Sequence, residues 1–303
     1  MRSKISLVAC IWAVLDGLFK TTSLLLERGF KGNIACVSLV MIFYSLSLIL
    51  FGKLLYGFSK RCEVPREAHN RLRLMALISV TYLPMAVISL SFEVTDIKAA
   101  SVIRTLSILL GFAIDVVIFR DKFRWSSLLG VAAVLCGTAL ALNLDLRSLI
   151  ENPAFTLFNL AIAGVIAGTS ALMRSLGALK IPSSVTMVYM GKYGAIVSLL
   201  LFVPVYTIVP KFDLGQHLSF QFSGWIVLLA AITGANANLA VLSKVRAYAS
   251  APAVHVKEPI TLSALLILSF GISVFWDGRT AQIEQSLLGI AILIAGCVLT
   301  LRK

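Results

Sequence analysis

The sequence predicts an all-α membrane protein: ten transmembrane helices built as two inverted five-helix repeats, with both ends on the cytoplasmic side. Three observations predict it. Hydrophobic residues make up 59% of the 303 positions and charged residues only 14%, with a mean hydropathy of +0.94. The charges gather in short stretches between apolar runs long enough to cross a bilayer. A fourteen-residue apolar segment near the middle of the chain returns, half identical, near the C-terminal end.

The composition excludes several function classes. A soluble domain of this size has too little interior to hide so much apolar surface, whereas lipid accepts it on the outside of every helix. The net charge of +13 would suggest nucleic acid in a soluble protein, but it lies in loops beside apolar runs, so nucleic acid is not an expected partner. Cys10, Cys36, Cys136 and Cys297 sit in apolar runs and Cys62 in a basic loop. No CxxC, His–Cys cluster or acidic metal motif accompanies them, so neither a disulfide framework nor a metal or other cofactor is expected. Arg2 and Lys4 precede an apolar run, but that run carries Asp16 and Lys20 and lacks a small-residue cleavage site. It reads as a retained first helix.

A bilayer core needs about 20 apolar residues per helix. The runs that meet this length are 5–26, 34–57, 74–92, 98–119, 125–143, 155–175, 183–206, 223–243, 250–276 and 285–301. The least marked division is at Phe92-Glu93-Val94-Thr95-Asp96. Loop charge then fixes orientation. With the N-terminus inside, sixteen Lys and Arg fall on the inner side, among them Arg66, Arg71, Arg73, Arg174, Lys180 and Lys244. Six fall outside: Arg28, Lys31, Lys98, Arg147, Lys211 and Arg279. That imbalance follows the positive-inside rule, and an odd number of spans would invert the later loops. The expected location is a bacterial cytoplasmic (inner) membrane.

Residues 127–140 read SLLGVAAVLCGTAL and residues 286–299 read SLLGIAILIAGCVL, identical at seven of fourteen positions. The copies fall in the fifth and tenth runs, which divides the chain into repeats at 1–146 and 147–303. An odd number of spans per repeat forces the second to enter from the opposite side, the plan from which many secondary transporters build alternating access. Gly130 with Gly137, and Gly289 with Gly296, lie about two turns apart on one face and permit close backbone approach, for packing or for dimerisation. A monomer and a homodimer are both compatible with this. Gly164 and Gly168 form a GxxxG in the sixth run.

With these elements in place, the chain resembles the drug/metabolite transporter superfamily, and within it the EamA-like ten-helix carriers. The resemblance rests on span count and orientation over nearly the whole chain, on Pro252-Ala253 to Glu258-Pro259-Ile260 with the apolar helix after it, and on Leu287-Leu288-Gly289 and Gly296 before a basic end. The first half repeats the pattern with Leu128-Leu129-Gly130, and Asp121 resembles the acid that family members carry in the preceding loop. Two departures are Ile103-Arg104, where a proline would match, and a longer loop at Trp276-Asp277-Gly278-Arg279. The resemblance implies a carrier of small metabolites and leaves the substrate open.

Ionisable groups within the spans are costly in hydrocarbon, so each needs a partner, a cavity or a task. Asp16 and Lys20, four residues apart, share a helical face and can pair. Lys192, in Tyr189-Met190-Gly191-Lys192-Tyr193-Gly194, has no acid within four residues; it is expected in a central cavity or tied to a distant carboxylate. Lys257 and Glu258 point about 100° apart. Pro259 removes a backbone hydrogen bond and can bend or break the helix beside them. Arg104 corresponds loosely to that region in the first half, and Asp115 can neutralise Arg120 or Lys122. Of Asn236 and Asn238 one is expected to face the cavity; Tyr189 and Tyr193 are further candidates. Lys53 lies a turn from a span end, where its stem can reach the head groups.

These residues predict a secondary transporter moving a small organic solute by alternating access. The modest excess of deep cations leans towards an anionic, zwitterionic or nucleotide-like metabolite, with exchange for a counter-substrate and coupling to a proton both compatible. No P-loop, nicotinamide fingerprint or catalytic triad is present, so no enzymatic activity is expected. Export of amino acids or cationic drugs is an alternative reading, and a channel or structural membrane protein is one of another class.

Overall fold

A computed structural model describes residues 6–27, 34–56, 64–90, 97–142, 153–207, 223–249, 252–275 and 283–301, and the described residues form ten helices. They are α1 (Leu7–Glu27), α2 (Ile34–Tyr56), α3 (Arg66–Leu90), α4 (Ile97–Val117), α5 (Trp125–Ala141), α6 (Pro153–Ala178), α7 (Ser183–Thr207), α8 (Gly224–Tyr248), α9 (Val254–Phe275) and α10 (Ile283–Leu301). Each coincides with one predicted apolar run. The largest departure is α3, which begins eight residues before its run, at Arg66. Its first two turns, Arg66-Glu67-Ala68-His69-Asn70-Arg71-Leu72-Arg73, are mostly polar, so the helix projects beyond its apolar stretch.

Among the described residues, the helices at Phe155–Ala178, Gly224–Tyr248 and Ile283–Leu301 are long and apolar enough to cross a membrane. Shorter apolar stretches run Leu39–Leu55, Thr105–Val117 and Trp125–Ala141. The outside of the bundle is apolar too: Leu50, Leu129, Leu157, Leu199, Trp225 and Leu288 are all exposed. Soluble monomers rarely expose apolar surface on this scale. The length, apolarity and outer surface of these helices are those of a membrane protein.

Backbone contact is closest where the sequence repeats. A Cβ on Gly130 would stand 2.8 Å from the Gly296 carbonyl oxygen, and one on Gly296 would stand 2.8 Å from the Gly130 carbonyl oxygen. A Cβ on Gly137 would meet the Gly289 carbonyl oxygen at 2.7 Å, and the converse distance is also 2.7 Å. The paired numbers run in opposite directions, so α5 and α10 cross antiparallel with four glycines at the seam. Both helices need glycine there because any side chain would strike backbone.

A second reciprocal crossing joins α2 to α7. A Cβ on Gly52 would lie 2.8 Å from Val188 N and 3.1 Å from Ser184 O; one on Gly191 would lie 2.8 Å from both Ile49 N and Ser45 O. The partners stand at matching steps, and the sequences agree once aligned this way. Ser45-Leu46-Ser47-Leu48-Ile49-Leu50-Phe51-Gly52-Lys53 corresponds to Ser184-Val185-Thr186-Met187-Val188-Tyr189-Met190-Gly191-Lys192. The remaining packing places α1 against α8 and α9, α2 against α8, α3 against α6 and α7, and α4 against α6, with α4 also against α9. Gly164 and Gly168 face no described atom within 4 Å of a Cβ, so their GxxxG does not join α6 to a described helix.

Candidate functional site

Five charged side chains from α1, α8 and α9 converge inside the bundle. Asp16 and Lys20 share a face of α1 and pair at 3.2 Å. Lys257, fully buried, reaches across from α9 to Asp16 Oδ2 and also contacts Glu258 Oε1 at 3.3 Å. The long lysine stem thus closes a pair that the 100° offset between neighbours did not require. Lys20 Nζ lies 3.9 Å from Glu258 Oε2 and Lys244 Nζ lies 4.0 Å from Glu258 Oε1. Ser170 Oγ and Tyr248 OH donate to Glu258 Oε1 at 2.8 and 3.0 Å. Thr261 Oγ1 reaches Asp16 Oδ2 at 3.4 Å and the Ala13 carbonyl at 3.1 Å.

Gly17 lets α1 and α9 approach this closely, since a Cβ there would stand 2.8 Å from Ala264 Cβ and overlap the Thr261 carbonyl. The result is a cluster of three lysines and two carboxylates, with a formal excess of one positive charge. Asp16 Oδ1 is buried with no hydrogen-bond partner among the described residues.

The cluster forms one wall of a cavity of about 280 Å³. Asp16, Lys20, Lys244 and Glu258 supply its charges, Tyr44, Tyr82, Thr105 and Thr169 are among its polar groups, and Ile108, Val165, Met173 and Leu265 are part of its apolar side. The lining residues come from α1 to α4 and from α6, α8 and α9, so both halves of the chain enclose it. Lys20 keeps 32% of its side chain exposed, against 10% for Lys244, which makes Lys20 the most accessible cation of the group. An arrangement of this kind can hold a small solute whose anionic end meets lysine ammonium groups and whose body rests on an apolar wall.

Of the sequence candidates, the structure brings together Asp16, Lys20, Lys257 and Glu258. Asp16, Lys20 and Glu258 face the cavity; Lys257 stands behind them as their counterion. The backbone of Arg104 lies in α4, and its side chain lies outside the described residues. Asn236 Nδ2 donates to the Phe19 carbonyl at 2.9 Å and Asn238 Nδ2 donates to Ser47 Oγ. Neither lines the cavity, because α8 turns Ala237, Ala240, Val241 and Lys244 towards it. Pro259 does not break α9, which runs unbroken from Val254 to Phe275. Its missing N–H gives up one intrahelical bond, to the His255 carbonyl one turn back, and the helix continues through it.

Lys192, Tyr189 and Tyr193 are not among the residues that line the cavity. Lys192 is exposed on the outside of the bundle, because Gly191 faces α2 and the next residue is turned about 100° away. It occupies the place in α7 that Lys53, also exposed, occupies in α2. Tyr189 and Tyr193 pack against α3, with the Tyr189 ring 4.9 Å from His69 and the Tyr193 ring 5.4 Å from the Arg73 guanidinium. The first half of α7 therefore runs beside the polar first turns of α3.

Lys244 is the cavity residue that loop counting missed. The apolar run ends at 243 and leaves it among the loop cations, but α8 continues to Tyr248 and carries Lys244 into the bundle. The i, i+4 spacing from Ala237 through Val241, with Ala240 followed by Lys244, is the signal that could have found it.

A second buried cluster joins α4, α6 and α9. Arg174 pairs with Asp115 and, at 2.9 Å, with Asp121. His255 Nδ1 lies 2.7 Å from Asp115 Oδ2, and the His255 backbone N–H donates to the same oxygen at 2.9 Å. Asp115 is thus neutralised by Arg174 and not by Arg120 or Lys122, which are exposed. The left-handed backbone of Arg120, φ 54°, turns the chain so that the Asp121 N–H donates to the Asp115 carbonyl at 2.9 Å and its carboxylate faces Arg174.

No family model matches this chain, and no curated protein matches it. A solved structure described as "Crystal structure of protein" is similar to it over 96% of this chain and 97% of its own, with a TM-score of 0.66 and 15% identity. That likeness is one of fold.

Proposed function

We propose that the chain is a secondary transporter of the drug/metabolite transporter type, moving a small anionic or zwitterionic metabolite through the cavity bounded by Lys20, Lys244, Asp16 and Glu258. The observation that carries this reading is the placement of an unbalanced ion cluster on the wall of an interior cavity to which both halves contribute. Charges sequestered in a bundle for stability alone are better paired off in full, since a surplus charge away from water is costly. A solute carboxylate or phosphate between Lys20 and Lys244 would supply the missing negative charge.

The ten-crossing topology, with both ends inside and inverted repeats at 1–146 and 147–303, is part of the same proposal. Helix packing supports it. Exchanging α1–α5 for α6–α10 carries α1·α8 into α3·α6, α2·α8 into α3·α7, and α1·α9 into α4·α6, while α2·α7, α5·α10 and α4·α9 map onto themselves. The reciprocal glycine crossings are the local form of the same exchange. A pseudo-twofold axis of this kind lets a carrier open alternately to the two sides by swapping the conformations of its halves.

The test is counterflow in proteoliposomes across amino acids, nucleotides, phosphorylated sugars and organic cations. Saturable exchange of an anionic or zwitterionic solute is expected. Unitary ionic currents without exchange would replace the carrier with a channel, and uptake confined to organic cations would reverse the charge assignment.

A further inference from the structure

We infer that α3 and α7 form a binding site for the phosphate head group of an anionic phospholipid, with Arg73 and Lys192 as its cations. The inference rests on the membrane reading above and is independent of what is transported. Arg73 and Lys192 are both exposed on the outer face of the bundle. They flank a tyrosine pair: the Arg73 guanidinium lies 5.4 Å from the Tyr193 ring, Lys192 Nζ lies 5.7 Å from the Tyr189 ring, and the two rings are 6.1 Å apart. His69 closes the side of Tyr189 at 4.9 Å. Residues 69 and 73 on α3, and 189 and 193 on α7, are each one turn apart, so the groups form a short ladder along the helix seam.

Among the described residues neither cation has a carboxylate partner. The nearest acid in sequence, Glu67, is committed to Arg71 at 3.7 Å. Two unpaired cations held beside tyrosine rings, level with the polar turns of α3, match the depth at which head groups and aromatic anchors meet. Basic pockets between helices at that depth bind phosphate-bearing lipid. The repeat mate sharpens the point: Lys53 has Leu50 and Leu54 where Lys192 has Tyr189 and Tyr193. The tyrosines are therefore a feature of this seam and not of the repeat.

The test uses the full chain in detergent, with native mass spectrometry and thermal melts reading retention of phosphatidylglycerol against phosphatidylcholine. Wild type is expected to retain phosphatidylglycerol preferentially. Each of Arg73→Gln and Lys192→Gln should weaken it about five-fold and the double variant roughly thirty-fold, following the usual contribution of one basic side chain near anionic lipid. Lys53→Gln, which removes the same charge from the equivalent position, should change retention less than two-fold.

Wild type without preference for phosphatidylglycerol would overturn the site with no variant needed. An equal loss in Lys53→Gln would reduce it to diffuse attraction and overturn it likewise. Displacement of the lipid by millimolar inorganic phosphate would make it a soluble-anion site instead. Counterflow measured on the same preparations fails or succeeds separately, so the two proposals can be told apart.

Discussion

The two buried ion clusters differ in the one property that separates a strut from a binding site. Around Arg174, one guanidinium meets Asp115 and Asp121, His255 completes the shell, and aromatic rings cover the group: the Arg174 guanidinium lies 4.3 Å from the Phe119 ring and the Phe112 ring 5.1 Å from His255. Its groups face one another, and none of them is among the residues that line the described cavity. Around Glu258, three lysines meet two carboxylates and four of the five side chains face that cavity. Burial and pairing are common to both. Open volume beside the charges belongs to the second alone, and that is why buried charge by itself is a poor guide to function.

The contrast can be broken most sharply at Arg174. Arg174→Gln leaves two carboxylates facing each other without a cation, at a cost of about 3–5 kcal/mol. It should appear as a large loss of thermal stability in detergent, while the protein that does fold transports at nearly the wild-type rate. A folded variant that has lost transport would make the strut part of the mechanism. Lys244→Gln and Lys20→Gln should do the reverse, lowering counterflow at least ten-fold, about 1.4 kcal/mol, with melting nearly unchanged. A rate equal to wild type in both would remove them from the solute site.

Smaller effects sharpen the picture. Asp16→Asn should destabilise by leaving the buried Lys257 with Glu258 alone as its described carboxylate partner. Adding Lys257→Met should recover part of that loss, with a coupling of about 0.5–3 kcal/mol in a double-mutant cycle. Strict additivity would mean that the two do not act as a pair. Lys192→Gln and Lys53→Gln, both outside the cavity, should leave solute counterflow within about two-fold of wild type. A strong effect at Lys192 would return it to the transport path.

The helices were legible because bilayer length and loop charge are linear properties of a sequence, and each predicted run became one helix. Asp16 and Lys20 were legible as an i, i+4 pair, and Glu258 through the cluster of charges around Pro259. What was hidden depended on rotation and height. Lys192 looked central when α7 was counted alone; its neighbours are set by the polar start of α3, which the hydropathy of α7 does not contain. Lys244 looked like a loop cation because α8 ends later than its apolar run. The Ser45–Lys53 and Ser184–Lys192 correspondence was hidden by chemistry, since Leu, Val and Met are interchangeable in such helices. Reciprocal backbone contact, rather than identity, identifies it.

The α5–α10 crossing has a consequence for how the chain is made. Gly130 and Gly137 cut a notch in α5 that fits the backbone of α10, yet α6, α7, α8 and α9 are all synthesised in between. Until α10 arrives, the notch faces lipid tails or a neighbouring chain, and α5 has no partner of matching depth. The α5–α10 crossing is therefore the later of the two glycine crossings to close, and translation stalled before Gly289 would leave the α5 notch open while α2 and α7 can already meet.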